Sequence, residues 1–192
     1  DLEEAWAGRK PLSNYLNHLL IQRSMLPAHA IKARFLENHD QERAAARFGH
    51  SEALRNWTAF AMLLEGCFFA YAGQERALER RPSIFEADPL DWEAGEPAFE
   101  ALFSAAHSAT RAIRAREDRF AIRELLPGLV LLERSGGERP AAALLNLAGR
   151  NGTVVLPAAL KGHELLSGAP IDLEGRIAIP REPLIIETAQ GP

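Results

Sequence analysis

Phe35-Leu36-Glu37-Asn38-His39-Asp40 places two acids, an amide and an imidazole at the end of an apolar segment. Residues Ile31 to Glu37 read as a short strand. The polar cluster Asn38-His39-Asp40-Gln41-Glu42-Arg43 reads as the turn that leaves it. In a βα barrel, that end of a strand faces the active site. A carboxylate beside an imidazole suits the binding of sugar hydroxyls, because the carboxylate accepts two hydrogen bonds and His can donate. Polar residues after a strand also serve as an ordinary solvated loop or helix cap, and the residues alone leave both readings open.

Working outward, the flanks alternate between two periodicities. Before the stretch, residues 11–23 predict a helix, with Leu12, Leu16, Leu19, Leu20 and Arg23 near one face, Pro11 at its start and Pro27 beyond its end. His18 on that helix is read as a surface or half-buried polar group. Asp1 to Gly8 looks like the middle of a helix, so the chain is expected to be cropped, with any targeting signal upstream. After the stretch, Ser51 to Leu64 predicts a strong helix, capped at or near Ser51 and stopped by Gly66. Its last residues are almost continuously apolar, which marks a buried end. Cys67 to Tyr71 is then expected as a buried strand, with Gly73-Gln74-Glu75 turning the chain. Residues 76–96 form a long irregular segment containing Pro82, Pro89 and Trp92. Pro97 to Arg116 predicts a further helix whose basic end matches the helix dipole. Strand, helix, strand, helix implies parallel strands joined by right-handed crossovers.

The texture changes near residue 118. Short apolar runs recur at 120–126, 129–132, 141–147, 153–156, 177–179 and 184–186, between breaks such as Pro127-Gly128 and Gly149-Arg150-Asn151-Gly152. This predicts a separate antiparallel β domain, with Asn151-Gly152 as a hairpin turn.

Composition narrows the function class. The chain has 192 residues, 47% hydrophobic and 25% charged, with a net charge of −4. That is ordinary for a globular protein. No basic patch is present, which argues against a nucleic-acid partner. Cys67 is the single cysteine, so an internal disulfide and a Cys-rich zinc site are excluded, and it is expected to be a small buried hydrophobe. No apolar stretch approaches the ~20 residues of a membrane span.

Two motifs in order carry a resemblance. Phe35 to Asp40 resembles the fourth conserved region of glycoside hydrolase family 13, the α-amylase family, whose pattern Phe-x-x-Asn-His-Asp ends the seventh barrel strand. Gly66-Cys67-Phe68-Phe69-Ala70-Tyr71-Ala72-Gly73-Gln74-Glu75 is similar to the family's eighth-strand segment, Gly-x-Pro-x-Ile-Tyr-x-Gly-x-Glu. Phe68 departs from the usual Pro, and Ala70 is smaller than the usual Ile or Leu. Asn56 to Phe60 looks like the seventh helix of bacterial members, and Pro82 to Trp92 like the loop before the eighth helix. The likeness covers residues 31–115; the β domain matches in position and texture.

The resemblance implies an α/β plus all-β chain. Residues 1–118 would supply the seventh and eighth βα units of a TIM (β/α)8 barrel, and residues 119–192 a small antiparallel β-sandwich domain. It further implies a parent that acts on α-glucans or maltooligosaccharides by a retaining mechanism, in which two carboxylates about 5–5.5 Å apart serve as nucleophile and general acid/base. By motif position Asp40 is the family's third acid, accepting hydrogen bonds from the 2- and 3-hydroxyls of the distorted sugar. His39 would donate to the same sugar and Asn38 would orient the pair. Gln41 and Arg43 are candidates for lining the cleft, with surface polarity as the competing reading. Glu75 is expected to brace strands or loops, and Glu37 to pair with Arg34 or Arg43. The nucleophile and general acid belong to earlier strands and match nothing in residues 1–30, so the chain alone is expected to be inactive. No cofactor is expected here; the family often binds calcium, through ligands mostly in other segments. Expected partners are the glucan and the rest of the barrel. An amylase-like binding or scaffold protein without catalysis, and an independent α/β binding domain, are the competing classes. Under the last, residues 1–115 should fold alone, whereas two barrel strands would leave unpaired edges that want the other six.

Overall fold

The structure is a computed structural model of the chain, and it describes residues 2–27, 30–113, 119–135 and 139–188. The helical half runs α1 (Leu2–Trp6), α2 (Leu12–Met25), β1 (Ala33–Arg34), α3 (Ala44–Phe48), α4 (Glu52–Leu63), β2 (Cys67–Phe68) and α5 (Pro97–Ile113), with 3₁₀ turns at Gln74–Arg76 and Trp92–Ala94. As the alternation predicts, β1 and β2 are parallel, with Ala33 opposite Cys67 and Arg34 opposite Phe68. The paired length is only two residues on each side. The rest of the expected strands at 31–37 and 67–71 forms no ladder.

Gly66 makes the close approach between α4 and β1 feasible. Its φ is +114°, and a Cβ there would stand 2.2 Å from the Lys32 carbonyl oxygen, which accepts the Cys67 N–H at 2.7 Å. Only glycine takes that backbone conformation without steric cost. Ser51 occupies the N-cap position of α4, but its hydroxyl donates back to the Phe48 carbonyl instead of capping the helix. Cys67 departs from its expected burial: it is exposed in this chain, on the face of β2 opposite Phe68, which packs against Phe103 of α5.

Among the described residues, eight further strands follow: β3 (Arg119–Leu126), β4 (Leu129–Ser135), β5 (Ala141–Asn146), β6 (Thr153–Val155), β7 (Leu160–Glu164), β8 (Pro170–Leu173), β9 (Arg176–Ala178) and β10 (Leu184–Thr188). Six form an antiparallel sheet in the order β3-β4-β5-β10-β7-β8, and β6 pairs with β9 in a separate ribbon. The Asn151-Gly152 hairpin does not form. Both edges of β5 are already taken, by β4 and β10, so the chain leaves the sheet after Asn146 and β6 pairs with β9.

Alternation along the strands sends side chains to opposite faces. Val130, Leu132, Ala143, Leu145 and Ile185 join the cluster built by α2, α4 and α5. Leu129, Leu131, Ala142, Leu144 and Ile186 pack instead with Val154 and Ile179 from the ribbon strands or their ends. The sheet is therefore a middle layer, and β5 is buried at every position. That is why its sequence, Ala-Ala-Ala-Leu-Leu-Asn, shows no polar alternation.

Polar ties hold the helices to the sheet. Asn56 of α4 is fully buried; its amide donates to the carbonyls of Glu52 (2.8 Å) and Arg181 (2.7 Å), and its oxygen accepts the Asn146 N–H at 2.8 Å. Arg134 of β4 reaches across to the Leu63 carbonyl (2.8 Å) and stacks over Phe120. Truncating Asn56 would strand a buried amide and a carbonyl. We expect Asn56→Ala to cost about 2–4 kcal/mol in urea unfolding, since each buried group left unpaired costs about 1–3 kcal/mol. A loss under ~0.5 kcal/mol would contradict the tie.

Candidate functional site

The turn after β1 is organised from its own side chains. The Asn38 Oδ1 accepts the backbone N–H groups of Asp40 (2.9 Å) and Gln41 (3.1 Å). This is the local bond that makes Asn favourable in turns. It throws His39 and Asp40 to the tip, where His39 Nε2 lies 3.2 Å from Asp40 Oδ2, with side-chain exposures of 54% and 70%. The two groups face outward as a ready donor–acceptor pair.

Beneath the tip the neighbouring acid points inward. Glu37 is 1% exposed; its Oε2 accepts the Ala44 N–H at 2.6 Å and its Oε1 lies 3.2 Å from Arg43 Nη1. Ala44 is the first residue of α3, so Glu37 satisfies one of that helix's free amides from outside. Burial pushes the Glu37 carboxyl up to about 7, with nearby Glu75 adding to the rise, while the Ala44 N–H and Arg43 pull against it.

Arg43 is as buried as its partner. Its Nε donates to the Leu78 carbonyl (3.0 Å), Nη1 and Nη2 to the Ala72 carbonyl (3.1 and 3.0 Å), and the guanidinium sits 4.9 Å from the centre of the Tyr71 ring. Expected as a cleft residue, Arg43 instead joins the turn after β1 to the segment after β2. Gly73 leaves room for it: a Cβ there would lie 2.8 Å from Arg43 Nη2.

Two more contacts hold the tip. Gln41 donates to Glu3 of α1 at 3.3 Å, and Arg81 Nη1 donates to the Asp40 main-chain oxygen at 3.0 Å. Gln41 also borders a cavity of about 360 Å³, with Phe35, Leu36, Tyr15, Phe60 and Leu64 on its walls. Burial raises the Tyr15 hydroxyl to about 12, so it stays protonated. Trp92 is 47% exposed on its loop. Among the described residues, no group of three or more His, Cys, Asp or Glu side chains is placed to hold a metal, and no helix is long and apolar enough to cross a membrane.

No protein-family model and no curated protein sequence matches the chain. Solved structures do. A maltogenic α-amylase from Thermotoga neapolitana superimposes with a TM-score of 0.84 at 26% identity, over 96% of this chain and 48% of that one. The chain has the fold of the α-amylase family's C-terminal portion. An α-amylase from Lactobacillus plantarum matches with a TM-score of 0.77 at 24% identity, over 97% of this chain and 44% of its own. The cyclic α-maltosyl-(1→6)-maltose hydrolase of Arthrobacter globiformis matches with a TM-score of 0.72 at 23% identity, over 97% and 42%. The chain thus spans less than half the length of these α-amylase-family structures.

Within this α-amylase-family fold, Asn38, His39, Asp40 and Gln41 share one turn, while Arg43 lies below it. The role of Arg81 had no sequence signal, because it stands 41 residues from Asp40 in the chain.

The buried Glu37 makes stability depend on pH. Its folded value, about 7, lies above the ordinary 4.5. The folded state therefore holds this proton more tightly than the unfolded chain. Its contribution is full below about 4.5 and is lost as pH rises through about 7. A tenfold difference in proton affinity between the two states is worth about 1.4 kcal/mol. Across that window, the stability of the parent relative to Glu37→Gln should fall in urea titrations. Parallel profiles would contradict the assignment.

Proposed function

We propose that this chain is the C-terminal part of a retaining α-glycosidase of the α-amylase type, acting on α-glucans or maltooligosaccharides. Residues 1–118 then provide the seventh and eighth βα units of a TIM barrel. Residues 119–192 provide an antiparallel β-sandwich domain that supports them. The parallel β1–β2 pair with its helical crossover and the ribbon packed on the six-stranded sheet favour this division. Having only one strand neighbour each among the described residues, β1 and β2 suit a larger sheet.

In this reading Asp40 is the transition-state acid. The observation that carries it is the Asn38-ordered turn, which presents Asp40 and His39 side by side at the end of β1. An ionised carboxylate accepts from two vicinal hydroxyls, and the bonds strengthen as the sugar ring flattens toward an oxocarbenium ion. His39 donates to the same sugar. Asn38 fixes the direction of both. Gln41 borders the substrate, and Arg43 acts from below, holding the turn to the segment after β2. The nucleophile and the general acid come from elsewhere in the parent protein.

The test is maltooligosaccharide turnover by the full-length protein and its Asp40→Asn variant. Contacts made mainly in the transition state are worth several kcal/mol, so kcat should drop by about 10²-fold or more while KM changes little. An Asp40→Asn variant with parental kcat would overturn the role of Asp40. A protein that binds glucans without turning them over would instead be a carbohydrate-binding or scaffold member of the family.

A further inference from the structure

The loop at 79–91 is tightly ordered by its own side chains. Arg80 grips both carboxylate oxygens of Asp88 at 2.7 Å and the Pro89 carbonyl at 2.6 Å. Asp88 also accepts the Ser83 N–H at 2.8 Å, and the Ser83 hydroxyl accepts the Phe85 N–H at 3.2 Å. Its two ends are stapled to the body. His50 lies 3.1 Å from Glu79 and 2.8 Å from Glu96, and Arg76 donates to the Trp92 carbonyl at 3.0 Å and to Glu100 at 2.6 Å. A loop held in this way can act as a fixed anchor point.

From that anchor Arg81 reaches the rim. Its Nη1 donates at 3.0 Å to the main-chain oxygen of Asp40, leaving the carboxylate itself to His39. The location matters. Asn38 already holds the N–H groups of Asp40 and Gln41, so the Asp40 backbone is gripped on both sides of its Cα. With N–H and C=O both held, the backbone torsions that aim the carboxylate have little freedom. A cation on the carbonyl also adds positive charge near the acid without consuming its acceptor capacity, which a direct ion pair would do.

We propose that Arg81 is a positioning residue: it ties the self-bonded loop 79–91 to the Asp40 main-chain oxygen and thereby fixes the direction of that carboxylate. The inference rests on Asp40 being the transition-state acid. It adds that the loop after β2, through one guanidinium, sets how well that acid is aimed. Arg81 touches no sugar in this scheme, so its loss should affect turnover more than binding.

The experiment compares full-length parent, Arg81→Met and Arg81→Lys by two readouts. The first is amide hydrogen exchange at Asp40 and Gln41, with the amides of α4 as the control for global stability. Losing one charged hydrogen bond should speed exchange at the two turn amides by about three- to tenfold in Arg81→Met, with α4 unchanged, and Lys should restore most of the protection. The second is maltooligosaccharide kinetics. Here kcat should fall by about tenfold in Arg81→Met with KM within about twofold, and Lys should recover much of the loss. Parental exchange at Asp40 and Gln41 in Arg81→Met would overturn the inference, as would a changed KM at constant kcat. If every form is inactive on glucans, the glycosidase reading fails, while the exchange measurement still decides whether Arg81 holds the turn.

Discussion

A guanidinium with no exposed atom must find its hydrogen bonds inside the protein. Arg43 is in that position, and it bonds to the carbonyls of Leu78 and Ala72 while facing the carboxyl of Glu37. The constraint is strict because an unpaired buried charge costs several kcal/mol. It draws together the chain after β1 and the chain after β2, two segments that the β1–β2 ladder joins through only two residue pairs. Glu37, held by the same pair, caps α3 and so sets where the turn between them must lie. The outward pair His39–Asp40 is aimed by this inward pair.

The same logic operates at the helix–sheet contact. Apolar area alone would let α4 slide on the sheet, because burial is not directional. Asn56 and Arg134 supply the direction: each is buried and reaches the opposite layer, one from helix to strand, the other from strand to helix end. The sheet beyond is covered by helices on one face and a ribbon on the other, so the helical half and the β half share a core. A site on the helical half is thus stabilised by residues far away in the chain.

Local signals in the sequence were dependable where one residue type had one physical solution. Pro127-Gly128 turns β3 into β4, and Asn38 organises its own turn. Period and composition located α2, α4 and α5, and most of the later strands. Signals failed where the outcome depended on a partner. Asn151-Gly152 looked like a hairpin, yet β5 had no free edge for β6. β7 carries no strand pattern in the sequence, because Lys161, Gly162 and His163 interrupt its apolar residues, and it is held by pairing with β10 and β8. Cys67 sits in an apolar run and is exposed in this chain, because it lies on the face of β2 away from the helices that Phe68 packs against.

By itself the sequence determined the residues of the tip, the parallel sense of β1 and β2 and the change to antiparallel strands after residue 118. Each of these is encoded in spacing and turn chemistry over a few neighbouring residues. Only the tertiary structure decided that Arg43 goes inward, that Glu37 carries a raised pKa and that Arg81 meets Asp40. Those outcomes depend on which distant carbonyls and charges come within hydrogen-bonding distance, and no local pattern records that.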